Sequence, residues 1–349
     1  MREVLADIER WLAADQRVAL ATVISVAGSA PRDVAAVMAV AEDGEVAGSV
    51  SGGCVEPAVI EVGVRAIRTG RPKLLQFGIS EAQNVERIGL SCGGEIRVFV
   101  ERMQGLEPLL DALRTEQPIA RALVISAQGE AAEAVGRSLL VRDQGKPQGD
   151  LGIAELAERV TSDARDLLRG GNSFTRAYTL ASGDQVEVFI AAYAPPPTLV
   201  IVGAGHISIP LSKMAKVLGY RVIVADARAT FATRERFPEA DELFVEWPDE
   251  AMARLPLTSA TAVAVLTHDD KFDVPALKAA LKSSAGYVGA IGSRGTREQR
   301  DVRLHEAGVT DEQIACIHGP IGLSIGARSP EEIALAILAE VVATRHGRA

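Results

Sequence analysis

The stretch Thr198-Leu199-Val200-Ile201-Val202-Gly203-Ala204-Gly205-His206-Ile207-Ser208 decides the fold of the C-terminal half. An apolar, β-branched run enters a glycine turn, the pattern of a buried strand delivered to a tight bend. Gly203 permits the turn. Gly205 lets the backbone approach a pyrophosphate at the N-terminus of the helix that residues 206–220 supply. Ser208 stands at the third position of this dinucleotide fingerprint, where a glycine usually allows close helix–strand packing, and so weakens the match. The second strand, RVIVADAR (221–228), carries Asp226 near its end, where a carboxylate takes a ribose diol.

Working outward, TAVAVLT (261–267) and GYVGAIG (286–292) continue an alternation of short strands with helical patterns. That grammar predicts an α/β domain over 198–349, a Rossmann-like doubly wound parallel sheet. The last helix opens with Ser329 as N-cap, Pro330 in its first turn and Glu332 closing a capping box. Its body, IALAILAEVVA, is apolar almost all round, which buries it against the sheet or in a homodimer interface. Ligands sit at the carboxyl ends of strands in open α/β sheets. There the sequence places Arg294 and Arg297 as phosphate contacts, and His206, His268 and His318 as acid–base groups or hydrogen-bonded loop residues. Arg300 and Arg303 read as solvated partners of Glu298, Asp301 and Glu306.

Upstream, Ala194-Pro195-Pro196-Pro197 removes backbone donors and forces extended geometry. The domain boundary is placed at this proline-rich linker, 194–197, with a mixed α+β domain over 1–193. In that domain an amphipathic helix opens the chain, VALATVISV (18–26) is a buried strand, and residues 35–50 form a hairpin about Asp43-Gly44. Further strands are expected at 95–103, twice within 121–143 and at 185–193, with a helix over 153–168. No internal repeat is visible.

Three loops here are dense in small residues. Gly48-Ser49-Val50-Ser51-Gly52-Gly53-Cys54-Val55-Glu56 suits a nest of backbone N–H groups turned toward an anion, and a helix starting after Cys54 favours a thiolate there. Leu90-Ser91-Cys92-Gly93-Gly94 repeats the theme, and Gly28-Ser29-Ala30-Pro31-Arg32 adds an arginine for anion contact. Matching composition points to a shared ligand-binding face using Ser29, Arg32, Gly52, Gly53, Cys54 and Cys92, whereas one such loop alone would be explained by small buried residues. Cys316 reads as a strand interior.

The chain has 349 residues, 48% hydrophobic and 24% charged, with net charge −9. That is enough apolar material for two cores, and too acidic for a general nucleic-acid or anionic-membrane binder. Three cysteines without CxxC spacing give neither a disulfide framework nor a structural zinc site. The charged N-terminus is unlike a signal peptide and no apolar run spans a bilayer, so a cytoplasmic location is expected.

Taken together, GSAPRDVAAVMAV…GEVAGSVSGGCVE, GLSCGGEIRVFVE, LVIVGAGHIS, THDD, GAIGSR and IGLSIGARSPEEIALAILAEV resemble the XdhC/CoxI family, accessory proteins of xanthine dehydrogenase and related molybdenum hydroxylases. The likeness runs from about residue 20 to 345, with SGGCVE and CGG its most specific elements. It implies a maturation factor rather than a metabolic enzyme. Such a chaperone binds the molybdenum cofactor, often as molybdopterin cytosine dinucleotide, and allows its terminal sulfur to be installed. It then inserts the cofactor into a xanthine dehydrogenase or carbon monoxide dehydrogenase-type apoenzyme. On that resemblance Gly203, Gly205, His206, Asp226 and Arg294 hold the nucleotide, and Cys54 and Cys92 are metal-proximal or sulfur-handling. A cysteine desulfurase and a cofactor cytidylyltransferase are the implied partners. Gly295 stands where relatives commonly have a second arginine. Two other readings stay open. One is an NAD(P)-dependent oxidoreductase, against which no Tyr-x-x-x-Lys pair follows the site; the other is a sulfur carrier using Cys54 as a persulfide.

Overall fold

In the computed structural model, which describes residues 1–78, 94–168 and 172–347, the chain separates into two units, Met1–Pro195 and Pro196–Ala349. The break falls inside the proline run, where backbone donors are missing.

The first unit begins with α1 (Leu5–Ala13), β1 (Val18–Ala27), β2 (Val37–Ala41), β3 (Val46–Gly48), α2 (Glu56–Thr69), β4 (Lys73–Phe77) and β5 (Glu95–Arg102). It continues with α3 (Glu107–Arg114), β6 (Ile119–Ala127), β7 (Ser138–Val141), β8 (Gln148–Asp150), α4 (Ala154–Leu168), β9 (Phe174–Thr179) and β10 (Gln185–Tyr193). The second set repeats the first. Both antiparallel sheets have one strand order, β3-β2-β1-β5-β4 and β8-β7-β6-β10-β9. This duplication corrects the expectation of no internal repeat. It lies in the topology and in the spacing: β1, β2 and β4 begin 101 residues before β6, β7 and β9, and Ala19, Ala21, Val23, Ile24 and Ser25 of β1 recur as Ala120, Ala122, Val124, Ile125 and Ser126 of β6.

Side chains of β1 part to opposite faces, as the pleat requires. Ala19, Ala21 and Val23 share a core with Val59, Val62 and Ile67 of α2. Ile24 packs instead with Phe99, Leu123, Ile125 and Phe189, between the two sheets. Leu156, Val160 and Ala164 of α4 cover the outer face of the second sheet. The unit is therefore layered helix, sheet, sheet, helix. Across the sheets, buried Arg121 donates to both Glu101 oxygens at 2.6 and 2.9 Å.

The second unit contains β11 (Thr198–Val202), α5 (Ser208–Val217), β12 (Arg221–Ala225), β13 (Glu242–Phe244), α6 (Pro248–Ala253), β14 (Thr261–Val265) and α7 (Asp270–Lys282). There follow β15 (Tyr287–Ala290), α8 (Arg294–Glu306), α9 (Asp311–Ala315), β16 (Ile317–His318) and α10 (Pro330–Arg345). All six strands are parallel, in the order β13-β12-β11-β14-β15-β16. The Rossmann-like α/β sheet is as expected, and its order reverses between β11 and β14.

α10 starts where the sequence placed it: Ser329 Oγ accepts from Glu332 N, and the Glu332 carboxylate accepts from Ser329 N. Its Ala334, Ile337, Leu338 and Val341 pack with Leu211 and Ala215 of α5, while Leu335 is exposed. Cys316 departs from its expected place. It caps α9 one residue before β16 and is exposed, because its neighbours Ile314 and Ile317 are the ones turned into the core.

Two substitutions rank the forces in these units. Removing the cap in Ser329→Ala is expected to cost about 1 kcal/mol. Arg121→Leu, which leaves Glu101 buried and unpaired, is expected to cost about 3–5 kcal/mol. Urea unfolding of the full chain measures both.

Candidate functional site

The glycine turn after β11 opens a cleft of about 420 Å³ at the point where strand order reverses, lined among others by Gly205, His206, Arg228, Thr267, His268 and Asp269. Gly203 lies at φ +99°, and a Cβ there would stand 2.5 Å from Thr267 Cγ2 and 3.1 Å from Thr267 N. Only glycine passes. A Cβ on Gly205 would meet nothing within 4 Å, so the backbone here is open to the cleft, the room a phosphate needs. Ser208 does not weaken the turn. It opens α5 fully buried, and its hydroxyl donates to the Gly203 carbonyl, tying helix to turn.

Asp226 departs from its expected task. It is 3% exposed and accepts from Ala204 N at 2.8 Å, from Arg228 N and Nε at 2.9 Å each, and from Arg228 Nη2 at 2.7 Å. Burial favours its neutral form, but the bonds from Arg228 and Ala204 outweigh that and hold its pKa below the ordinary carboxylate value. A carboxylate so enclosed offers nothing to a ribose diol. The cleft presents Arg228 instead, its guanidinium 4.3 Å over the Phe231 ring.

Beneath the cleft, the Thr267 hydroxyl donates to buried Asp273. Burial pushes the Asp273 pKa up to about 6, against the pull of Thr267 and of the Arg300 charge. Arg300 is 3% exposed and donates to Ile291 O at 3.0 Å, which corrects its reading as solvated. Among the described side chains of α8, Arg300 and Leu304 are the buried ones. Arg303 pairs with Asp270 on α7. Arg297 donates to Gly319 O at 2.8 Å, so it holds the loop after β16 rather than waiting for phosphate. The side chain of Arg294 lies outside the described residues. His206 and His268 are exposed in one cleft, whereas His318 stacks 4.5 Å from Tyr287, with Nδ1 3.3 Å from Glu340.

In the first unit the structure brings the small-residue loops together. Gly52, at φ +80°, would place a Cβ 3.6 Å from Pro31, and a Cβ on Gly94 would strike the Ser29 carbonyl. The 28–32 loop therefore touches both glycine loops. Gly52, Gly53 and Cys54 form an exposed tip, and Ser29 is exposed beside it. Cys92 and Gly93 lie outside the described residues. Arg32 is turned to Glu3, so its charge is already compensated and the expected anion contact is corrected.

Glu56, whose role the sequence does not announce, organises this loop. It accepts from Ser49 Oγ at 2.7 Å, Ser51 Oγ at 2.6 Å, Ser51 N at 2.9 Å, Gly53 N at 2.9 Å, Val55 N at 3.1 Å and Val50 N at 3.3 Å. Burial opposes its charge, yet the bonds from Ser51, Ser49 and the backbone hold its pKa at about 2. The nest expected for an external anion is thus filled from within. The available signal was a carboxylate opening a helix, with serines five and seven residues earlier.

The chain matches the family described as the XdhC Rossmann domain over residues 199–341, and the XdhC and CoxI family over residues 11–78 and 112–179. The latter segments begin within α1 and α3 and end at β4 and β9, equivalent points of the two modules. It is similar to a Bacillus subtilis protein named as a probable xanthine dehydrogenase subunit, 26% identical over 97% of this chain and 96% of that one. It is also similar to the Escherichia coli "Molybdenum cofactor insertion chaperone PaoD", 28% identical over 93% of this chain and 83% of that one. Among solved structures, a Bacillus halodurans protein described as a xanthine dehydrogenase shares the fold, with TM-score 0.73 and 24% identity over 99% of this chain and 96% of that one.

The depressed pKa of Glu56 sets the pH range of its loop. Support from the carboxylate is complete above its ordinary value of 4.5 and lost as pH falls through about 2. In an NMR titration the Gly53 and Val55 amide shifts are expected to move together with a midpoint near 2. A midpoint near 4.5 would mean that the nest does not form.

Proposed function

The chain belongs to the XdhC and CoxI family, and from that membership we propose that it is a molybdenum-cofactor chaperone serving a molybdenum hydroxylase. It binds the cofactor as molybdopterin cytosine dinucleotide, holds it while its terminal sulfur is installed, and inserts it into an apoenzyme of the xanthine or carbon monoxide dehydrogenase type. The observation that carries this reading is the turn at Gly203 and Gly205. It is closed to any side chain at the first glycine and open at the second, at the mouth of a cleft of about 420 Å³. A dinucleotide pyrophosphate fits such a turn, facing the N-terminus of α5.

The cargo brings its own metal, already chelated by the pterin dithiolene. Molybdenum–sulfur chemistry is soft and suits a thiolate neighbour. Cys54 at the exposed tip is the thiol assigned to that role, and the converging loops at Ser29, Gly52 and Gly53 leave it accessible. Sulfur would come from a cysteine desulfurase and the dinucleotide from a cytidylyltransferase, with the chaperone acting as a cytoplasmic homodimer. No helix among the described residues is long and apolar enough to cross a membrane. Use of Cys54 as a persulfide carrier is compatible with this role. Asp226, whose oxygens are committed to Arg228 and the turn, offers no acceptor to the ribose of a cytosine or of a nicotinamide dinucleotide, so turnover separates this reading from the oxidoreductase one. NADH turnover against a substrate panel is expected to be absent.

Protein purified from cells that make the complete cofactor is expected to carry molybdenum and releasable CMP in equal amounts. Gly203→Ala is expected to lose both. If neither is found in the wild-type protein, the chaperone reading fails; if Cys54→Ser retains cofactor and still activates its target, the thiol assignment fails.

A further inference from the structure

We propose that Glu56 is a positioning residue for Cys54. Its carboxylate, enclosed by the loop 49–55, fixes the Gly52-Gly53-Cys54 tip in the conformation that presents the thiol. This rests on the assignment of Cys54 in the proposed function.

The N–H groups of Val50, Ser51, Gly53 and Val55 donate to Glu56. Gly52 N donates to Ser49 Oγ at 2.8 Å, and Cys54 N donates to Ser51 Oγ at 3.1 Å. Both of those hydroxyls donate in turn to Glu56. Every backbone N–H from Val50 to Val55 is therefore held by Glu56, directly or through a serine that it fixes. Gly52 and Gly53, at φ +80° and +125°, allow the chain to wrap the carboxylate in this way. The charge sits at the first residue of α2, where the helix dipole favours it.

The second module separates this device from the requirements of folding. There the matching connection between β8 and α4 is only residues 151–153, anchored by buried Leu151 and Ile153. Gly152 N donates to Asp150 there at 2.8 Å, but residues 151–153 do not wrap a carboxylate as 49–55 do, and the same architecture forms. The longer loop and its internal anion belong to the first module and have no counterpart in 151–153, and what they carry at their exposed tip is Cys54.

Peptide-resolved mass spectrometry of iodoacetamide labelling reads Cys54 directly in the full chain. In Glu56→Ala the tip loses both its anchor and a neighbouring negative charge, so Cys54 labelling is expected to speed up severalfold. Cofactor retention is expected to fall roughly tenfold to hundredfold, with the thermal unfolding midpoint close to that of the wild type. Added formate, a carboxylate that can enter the emptied nest, is expected to return labelling and retention toward wild-type values. Glu56→Gln keeps the shape but turns an amide N–H₂ against the backbone donors, and is expected to show the defect without responding to formate. Should Glu56→Ala fail to fold, the labelling rate of Glu56→Gln decides alone. A wild-type or slower labelling rate in the variants, or a Glu56→Ala protein indifferent to formate, overturns the proposal. Cys54→Ser keeps the two readings apart: if it retains cofactor, the role of Cys54 falls, while the labelling result still judges Glu56.

Discussion

Backbone N–H groups that leave regular secondary structure must find an acceptor, and the glycine-rich loops of this chain meet that demand in opposite ways. Around Glu56 the demand is met internally: one carboxylate and two serines collect every donor from Val50 to Val55. At the turn after β11 only part of it is met. Gly203 N is tied to Ala225 O and Ala204 N to Asp226, while the backbone at Gly205 faces open space. The first loop is complete in its own hydrogen bonds. The second is a cradle that a ligand's oxygens would finish.

The two modules of the duplicated sandwich differ in their loops. Both modules bury a helix on the outer face of their sheet and share the layer between the sheets, with Arg121 and Glu101 joining the two. Their strand orders are the same. In the first module Ser29, Gly52 and Gly94 come together; the second is shorter where 151–153 matches 49–55, but its connection after β6, 128–137, is as long as 28–36 and holds a 3-10 helix over Gly129–Ala134. The two copies differ at their loops, a difference that a packed pair of sheets tolerates because loops lie outside the shared core.

What could be read in the sequence follows from how local each signal is. The strand at 198–202, the glycine turn and the Ser329–Glu332 box depend on neighbours within a few residues, and each is found where the pattern placed it. The duplication is present in the sequence as a spacing of 101 residues between the starts of β1 and β6, β2 and β7, and β4 and β9, a distance that local patterns do not span. Arg300 looked solvated among acidic neighbours on its own helix, and its burial depends on Ile291 and on Asp273 of another helix. Glu56 stands at the end of a glycine-rich motif, yet its role comes from a loop folding back onto it. Residue types and spacings say what chemistry is present; which acceptor a donor meets is settled only when distant segments close.

Asp226 illustrates that limit and bears on recognition. A dinucleotide-binding turn has two separable parts, a phosphate cradle and an acceptor for the sugar. The cradle is intact here: Gly203 is forced by Thr267, Gly205 is open, and Ser208 locks the helix to the turn. The sugar acceptor is withdrawn, since all four donors on Asp226 come from the protein itself and its side chain is almost fully enclosed. Breaking that arrangement for a ribose would leave Arg228 and the Ala204 N–H to find new partners, a cost of the order of a charged hydrogen bond, about 1.5–3 kcal/mol. A cleft so built has room for a phosphate at the turn and no free carboxylate for a ribose diol, whichever dinucleotide would bring it.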